Sequence, residues 1–183
     1  IDDSMEIVQS LAEELTHVVQ ADSTSPATLR KLGVAEMAHA VVGIGSDIES
    51  SVLTVVALLD CGCQDIWAKA VNTNHGRILE RVGANHVIYP EAELGERVAH
   101  LVPGRLIDFF AFDDGFSVGK TRAPAFMAGK TLAESDVEAR HGVTVIGVKR
   151  ARAAFAQARP DTIIFMSDQL VISGPTGAVE TFA

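Results

Sequence analysis

Between Met5 and Leu15 the apolar side chains fall at positions 5, 7, 8, 11, 12 and 15, the spacing of one helix face. Ser4 stands where an N-cap belongs. His17-Val-Val-Gln-Ala21 reads as a strand. Ser25-Pro26 opens a short helix, with the proline in its first turn, that ends at Gly33. The apolar run from His39 to Gly45 has the continuous pattern of a strand buried on both faces of a parallel sheet. Asp47 starts a helix that reaches about Asp60 and is closed by Gly62. Asp65 to Val71 is a further strand, and Asn74 to Arg81 a short helix stopped by Gly83. His86 to Tyr89 is a strand broken by Pro90, and Glu91 to Leu101 a helix. Strict alternation of helix and strand predicts a parallel sheet with right-handed crossover helices.

Pro103-Gly104 breaks this pattern. Beyond it, strands are expected at Leu106 to Phe112, Phe116 to Arg122, Val143 to Lys149, Ala154 to Gln157 and Gln169 to Ser173. One helix is expected from Ala133 to Arg140, stopped by His141-Gly142. The fold class that follows is a Rossmann-like parallel α/β domain over residues 1–103 and a small α+β domain over 104–183. The chain opens on Ile1 directly before a helix pattern. The expectation is that a first strand and a Gly-rich turn lie upstream.

Composition removes several classes of function. A net charge of −9 argues against a general nucleic-acid binder and against a polybasic membrane-surface protein. No apolar run approaches the ~20 residues that span a bilayer; the longest, Val52 to Leu59, contains Thr54 and stops at Asp60. Cys61 and Cys63 are too few and too close for a disulfide scaffold, which points to a reducing cytoplasm. The six histidines show no metal-ligand spacing. No Gly-x-Ser-x-Gly elbow and no phosphate-binding Gly-Lys-Thr loop is present, because Gly129-Lys130-Thr131 lacks the upstream glycine. Nothing in the chain specifies a catalytic triad.

Ligands of a parallel sheet bind at the carboxyl ends of its strands. That rule selects Asp2-Asp3, Asp22-Ser23-Thr24, Gly43-Ile44-Gly45-Ser46-Asp47 and Tyr89-Pro90-Glu91. Asp2 fits the acid that accepts from ribose hydroxyls, and fits equally a helix cap. Asp22 fits an acceptor for an adenine amino group, or a cap for the helix at Pro26. Gly43 and Gly45 let a backbone approach a ligand, or simply serve a turn. Lys69 stands in an apolar strand; it reaches a phosphate, reaches a carboxylate, or snorkels at the sheet edge.

Taken in order, these segments resemble the N-terminal domain of the RCK (regulator of potassium conductance) family. The segments are Ile1-Asp2, Gln20-Ala-Asp22-Ser-Thr24, Leu29-x-x-Leu-Gly33, Val41-Val-Gly-Ile-Gly45-Ser-Asp-Ile-Glu-Ser-Ser51, Ile66-Trp-Ala-Lys69-Ala-x-Asn72-x-x-His75 and Val87-Ile-Tyr-Pro90-Glu91. Ala128-Gly-Lys-Thr-Leu132, His141-Gly-Val-x-Val-Ile-Gly-Val-Lys-Arg150, Arg159-Pro160-Asp161 and Ser167-Asp168-Gln-Leu-Val-Ile-Ser-Gly174 resemble its C-terminal domain. The chain is thereby similar to TrkA-N/TrkA-C regulatory subunits of Ktr/Trk-type potassium uptake systems.

The resemblance implies a cytosolic subunit, peripheral on the inner face of the cell membrane through its partner, a potassium-translocating membrane subunit. It implies binding of ATP or ADP, with NAD(H) as the variant ligand, and no enzymatic turnover. It implies self-association as a dimer and an octameric ring. By residue, it implies Asp2 at the ribose, Asp22, Ser23 and Thr24 at the adenine pocket, and the backbone of Gly43, Ile44 and Gly45 beside the nucleotide. It also implies Lys69 near the nucleotide and Glu91 on Mg²⁺ or Ca²⁺ beside the phosphates. Some relatives bind cyclic di-AMP through an arginine three residues before a Tyr/His-Gly pair; Glu138 stands there, and an acid facing a phosphate argues against that ligand. Two other readings share the first domain: an NAD(H)-dependent oxidoreductase or redox-sensing protein, and a regulatory domain of a cation antiporter.

Overall fold

The computed structural model describes residues 1–112 and 114–183. They form two compact units, Ile1–Ala92 and Glu93–Ala183, each with its own hydrophobic core. The division falls inside the helix Pro90–Leu101, between Ala92 and Glu93, where the sequence pattern put it after that helix, at Pro103-Gly104.

The first unit is built on three parallel strands in the order β1 (His39–Val42), β2 (Asp65–Lys69), β3 (His86–Ile88). Its helices are α1 (Met5–Leu11), α2 (Pro26–Lys31), α3 (Ile48–Asp60) and α4 (Thr73–Val82). Ser4, Ser25 and Asp47 cap the helices they were expected to open, and Asn72, two residues ahead of the expected start at Asn74, caps α4. Each accepts from a backbone N–H of the first turn, and Gly83 ends α4 in the left-handed region at φ 112°. Alternation along the strands sends Val42, Ile66 and Ala68 into a core closed by Leu29, Val55, Leu58 and Leu79. Tyr89 lies over Gly76, where any Cβ would collide with its hydroxyl.

Two expectations change here. The run His17–Ala21 is not a strand; it touches its neighbour only at Asp2–Gln20, through Asp2 N–H to Val19 C=O (3.2 Å) and Ala21 N–H to Asp2 C=O (3.0 Å). Two hydrogen bonds are too few to extend a ladder. Nor is the 39–45 run buried on both faces. The side of the sheet carrying Val41 and Trp67 is open, with Val41 73% exposed. Of the four β1 residues only Val42 is buried, and regular pairing stops there so that Gly43–Gly45 can leave the sheet.

The second unit is a five-stranded antiparallel sheet. Its strands are β4 (Leu106–Ala111), β5 (Phe116–Arg122), β6 (Thr144–Lys149), β7 (Phe155–Gln157) and β8 (Gln169–Pro175), in the order β4-β5-β8-β6-β7. α5 (Pro90–Leu101) leads into it. The expected 133–140 helix is two short ones, α6 (Leu132–Ser135) and α7 (Val137–His141), broken at Asp136 with φ 47°. A capping box between Thr131 and Glu134 starts α6, and the left-handed aspartate ends it after one turn. The pattern gave no sign of α8 (Thr176–Phe182), which follows Pro175 and buries Val179 and Phe182 against the sheet.

Candidate functional site

The carboxyl ends of β1, β2 and β3 carry three of the expected residues together. Gly45 follows β1, Lys69 is the last residue of β2, and Glu91 stands one residue into α5 after β3. The Lys69 ammonium pairs with Oε1 of Glu91. Gly45 makes room for this: a Cβ there would lie 3.1 Å from Lys69 Nζ and 3.2 Å from its Cε. The lysine therefore reaches a carboxylate, the second of the three outcomes open to it. Its hydrogen bond holds the Glu91 carboxyl below the usual carboxylate range. A lysine so placed has three donors and, among the described residues, one ion-pair partner, which suits capture of a second anion. Among the described residues no group of three or more His, Cys, Asp or Glu is placed to hold a metal ion.

A second group surrounds a cavity of about 240 Å³ lined by Ile1, Ser23, the β1 residues, Gly43, Ile44 and Thr54. Ser23 Oγ lies 2.9 Å from Thr54 Oγ1, which ties the 22–24 turn to α3. Thr54 was not selected from the sequence. The available signal was that it alone is polar in the apolar 52–59 run, yet it is buried.

Asp2 forms the short parallel bridge with Gln20, and Asp22 follows two residues beyond it. Asp2 Oδ1 accepts from the Ser4 N–H at 2.9 Å, a local turn just ahead of α1, whose cap is Ser4 itself. Asp22 Oδ1 accepts from both the hydroxyl (2.6 Å) and the N–H (2.9 Å) of Thr24. Those bonds, the hydroxyl first, hold its carboxyl below the ordinary range. Thr24 thus orients Asp22 and closes a turn of its own. The expected residues form two neighbourhoods: Gly45, Lys69 and Glu91 in one, and Ser23, Gly43 and Ile44 in the other. Asp2, Asp22 and Thr24 are engaged locally.

His75 also sits under this edge. Its ring is buried on α4, and Nδ1 accepts from the Val71 N–H at 3.4 Å, just past the end of β2. Burial pushes its pKa down, so it is neutral at neutral pH.

Residues 1–90 match the TrkA-N domain family model and residues 123–183 the TrkA-C domain model. Ktr system potassium uptake protein C of Bacillus subtilis (strain 168) is 30% identical over 176 residues, 96% of this chain and 80% of that protein. Protein A of the same organism is 30% identical over 183 residues, 100% of this chain and 82% of that protein. In Vibrio alginolyticus, Ktr system potassium uptake protein A is 26% identical over 176 residues, 96% of this chain and 80% of that protein. The crystal structure of the GsuK RCK domain shares the fold with a TM-score of 0.62 and 22% identity, over 97% of this chain and 39% of that one. The GsuK channel bound to NAD gives 0.61 and 22%, over 98% and 34%.

Proposed function

The chain belongs to the family of Ktr-system potassium uptake proteins, with TrkA-N and TrkA-C domains, and from that premise we propose that it is a nucleotide-responsive regulatory subunit of a potassium uptake system. The observation that carries the proposal is the convergence of Gly45, Lys69 and Glu91 at the carboxyl edge of the parallel sheet, where ligands of such sheets bind. An adenine nucleotide, ATP or ADP, lies along this edge with its base toward Ser23 and its phosphates toward Lys69. NAD(H) is the competing dinucleotide.

Glu91 gives the site its selectivity. A polyphosphate brought to Lys69 meets the Glu91 carboxylate, and a bound Mg²⁺ or Ca²⁺ turns that repulsion into a shared ligand set. ATP and ADP differ by one phosphate, so contacts to that phosphate and its cation are the ones that discriminate two states. The ligand is bound without turnover, and its occupancy acts on a membrane-embedded partner that moves the ion. No helix of the described residues is long and apolar enough to cross a membrane.

Isothermal titration of ATP, ADP and NADH, with and without Mg²⁺ or Ca²⁺, tests the reading. Lys69→Gln is expected to weaken ATP in all conditions. Glu91→Gln is expected to remove the divalent-dependent part of ATP affinity while ATP still binds without metal. A metal effect unchanged in Glu91→Gln would overturn the cation assignment, and steady hydride transfer from NADH would overturn the regulatory one.

A further inference from the structure

The same three strands carry a second group of side chains at their opposite, amino ends. His39 opens β1, Asp65 opens β2 and His86 opens β3. Asp65 sits between the two imidazoles: Oδ2 is 2.6 Å from His39 Nδ1, and Oδ1 is 3.1 Å from His86 Nε2. Register explains the alignment. His39 is paired with Asp65, and His86 with Trp67, two residues further along the same face of β2. Trp67 stacks on His86 with ring centroids 4.1 Å apart and planes 23° from parallel.

We propose that His39, Asp65 and His86 form a proton-responsive clip that sets how firmly β1 and β3 are held to β2, and through those strands the geometry of the nucleotide edge. The cluster has the parts such a device needs. Two histidines ordinarily titrate between pH 5 and 8, and one carboxylate has an oxygen for each. With both rings protonated, Asp65 binds a cation on each side. With both neutral, each bond survives only in the tautomer that places a proton on the facing nitrogen. The strands are three to five residues long, and each runs from a clip residue toward a residue of the carboxyl edge: His39 toward Gly45, Asp65 to Lys69, His86 toward Glu91. The His39 hydrogen bond, followed by the Trp67 indole and the His86 charge, already holds the Asp65 carboxyl below its ordinary range. No other charged side chain among the described residues is within ion-pairing distance of Asp65. His75 titrates elsewhere, on α4 beside Val71, and faces none of the three.

Trp67 is the chain's single tryptophan, so its fluorescence reports on the ring stacked against it. A stacked imidazolium quenches indole more than a neutral imidazole does. Emission of the wild-type protein is expected to fall sigmoidally from pH 8 to pH 5, and His86→Gln to abolish the transition. Asp65→Asn is expected to lower its midpoint by about half a pH unit or more, because the anion favouring the charged ring is gone. His39→Gln is expected to raise it, because His86 then has Asp65 to itself. A flat wild-type profile, or a midpoint unmoved in Asp65→Asn, would overturn the clip. Histidine ring NMR titration of the wild-type protein gives the two values directly should a variant fail to fold; rings that titrate independently overturn it as well.

The coupling to the far edge rests on the nucleotide reading given above. The ADP affinity ratio between pH 6 and pH 8 is expected to differ about 5-fold between wild type and Asp65→Asn. Equal ratios would overturn the coupling. Absence of nucleotide binding at both pH values would overturn the nucleotide reading instead, and leave the clip to be decided by fluorescence.

Discussion

A glycine and a lysine share one volume at the carboxyl edge. Because a Cβ on residue 45 would come within 3.1 Å of Lys69 Nζ, Gly45→Ala pushes the far end of a flexible side chain and no backbone. The expected outcome is nearly unchanged stability with displaced lysine, hence weaker ATP binding, measured by titration beside a thermal melt. Gly76 is the tighter case: a Cβ there would collide with the Tyr89 hydroxyl and lie 2.8 Å from the ring carbon that bears it, so the stiff, partly buried ring must swing out of its place. Gly76→Ala is expected to cost about 1–3 kcal/mol in urea unfolding. Acid separates two kinds of residue. Glu91 is held below its ordinary range, so its contribution is present above the unfolded value and is lost as pH falls through the lowered folded value. His75 is buried neutral with a depressed pKa, so the unfolded ring takes the proton first and stability declines once pH drops below about 6.5. His75→Phe is expected to remove the loss read from melting temperature between pH 7 and pH 5, and to leave the Glu91 loss, which lies below about pH 4.5.

At the scale of elements, what the sequence made legible followed from local chemistry. The start of α3 and the end of α4 came from Asp47 and Gly83, residues that cap or end a helix wherever it packs. The site residues at 45 and 91 came from the rule that strand ends gather ligands, and Lys69 from its place as a charge in an apolar strand. What was not legible depended on distant partners. The 17–21 run has strand composition but only Asp2 to pair with. The pairing of Lys69 with Glu91 spans a crossover that no local pattern encodes. Nor does composition reveal that Asp136 adopts φ 47°, which splits one expected helix in two. Since the left-handed region costs an L-residue about 1 kcal/mol more than glycine, Asp136→Gly is expected to stabilise by up to that amount. On α3 the residues at 51, 54, 55, 57 and 58 are buried, whereas Leu53, Val56 and Leu59 form an exposed apolar stripe. A stripe of this spacing suits a copy of the same helix on another subunit. Val56→Asp is expected to lower the mass seen by light scattering toward the 19.4 kDa of one chain, and an unchanged mass would place the contact elsewhere.

The whole molecule is two cores in one chain, and its ligand is assigned to only one of them. The residues gathered at the sheet edge, Gly45, Lys69 and Glu91, and Ser23 of the neighbouring cavity all lie within Ile1–Ala92, as do the single tryptophan and the single tyrosine, Trp67 and Tyr89. Glu93–Ala183 has a separate apolar centre around Met127, Ile164, Leu170 and Ile172. A chain with two cores need not unfold in one step, and a ligand stabilises only the part it binds. Nucleotide with its divalent ion is therefore expected to move the tryptophan-detected unfolding transition in urea. At a concentration of 100 Kd the gain is about 2.7 kcal/mol. Circular dichroism follows both units, and the portion due to the antiparallel sheet is expected to stay where it was. The comparison decides how the nucleotide acts on the chain. If the circular dichroism curve keeps an unshifted component, the signal of nucleotide occupancy stays within the first unit and must leave it through that unit's own surfaces, the α3 stripe and the open face of the sheet. If both components move together by the same free energy, the two cores unfold as one, and the antiparallel unit is a full participant in the response to nucleotide.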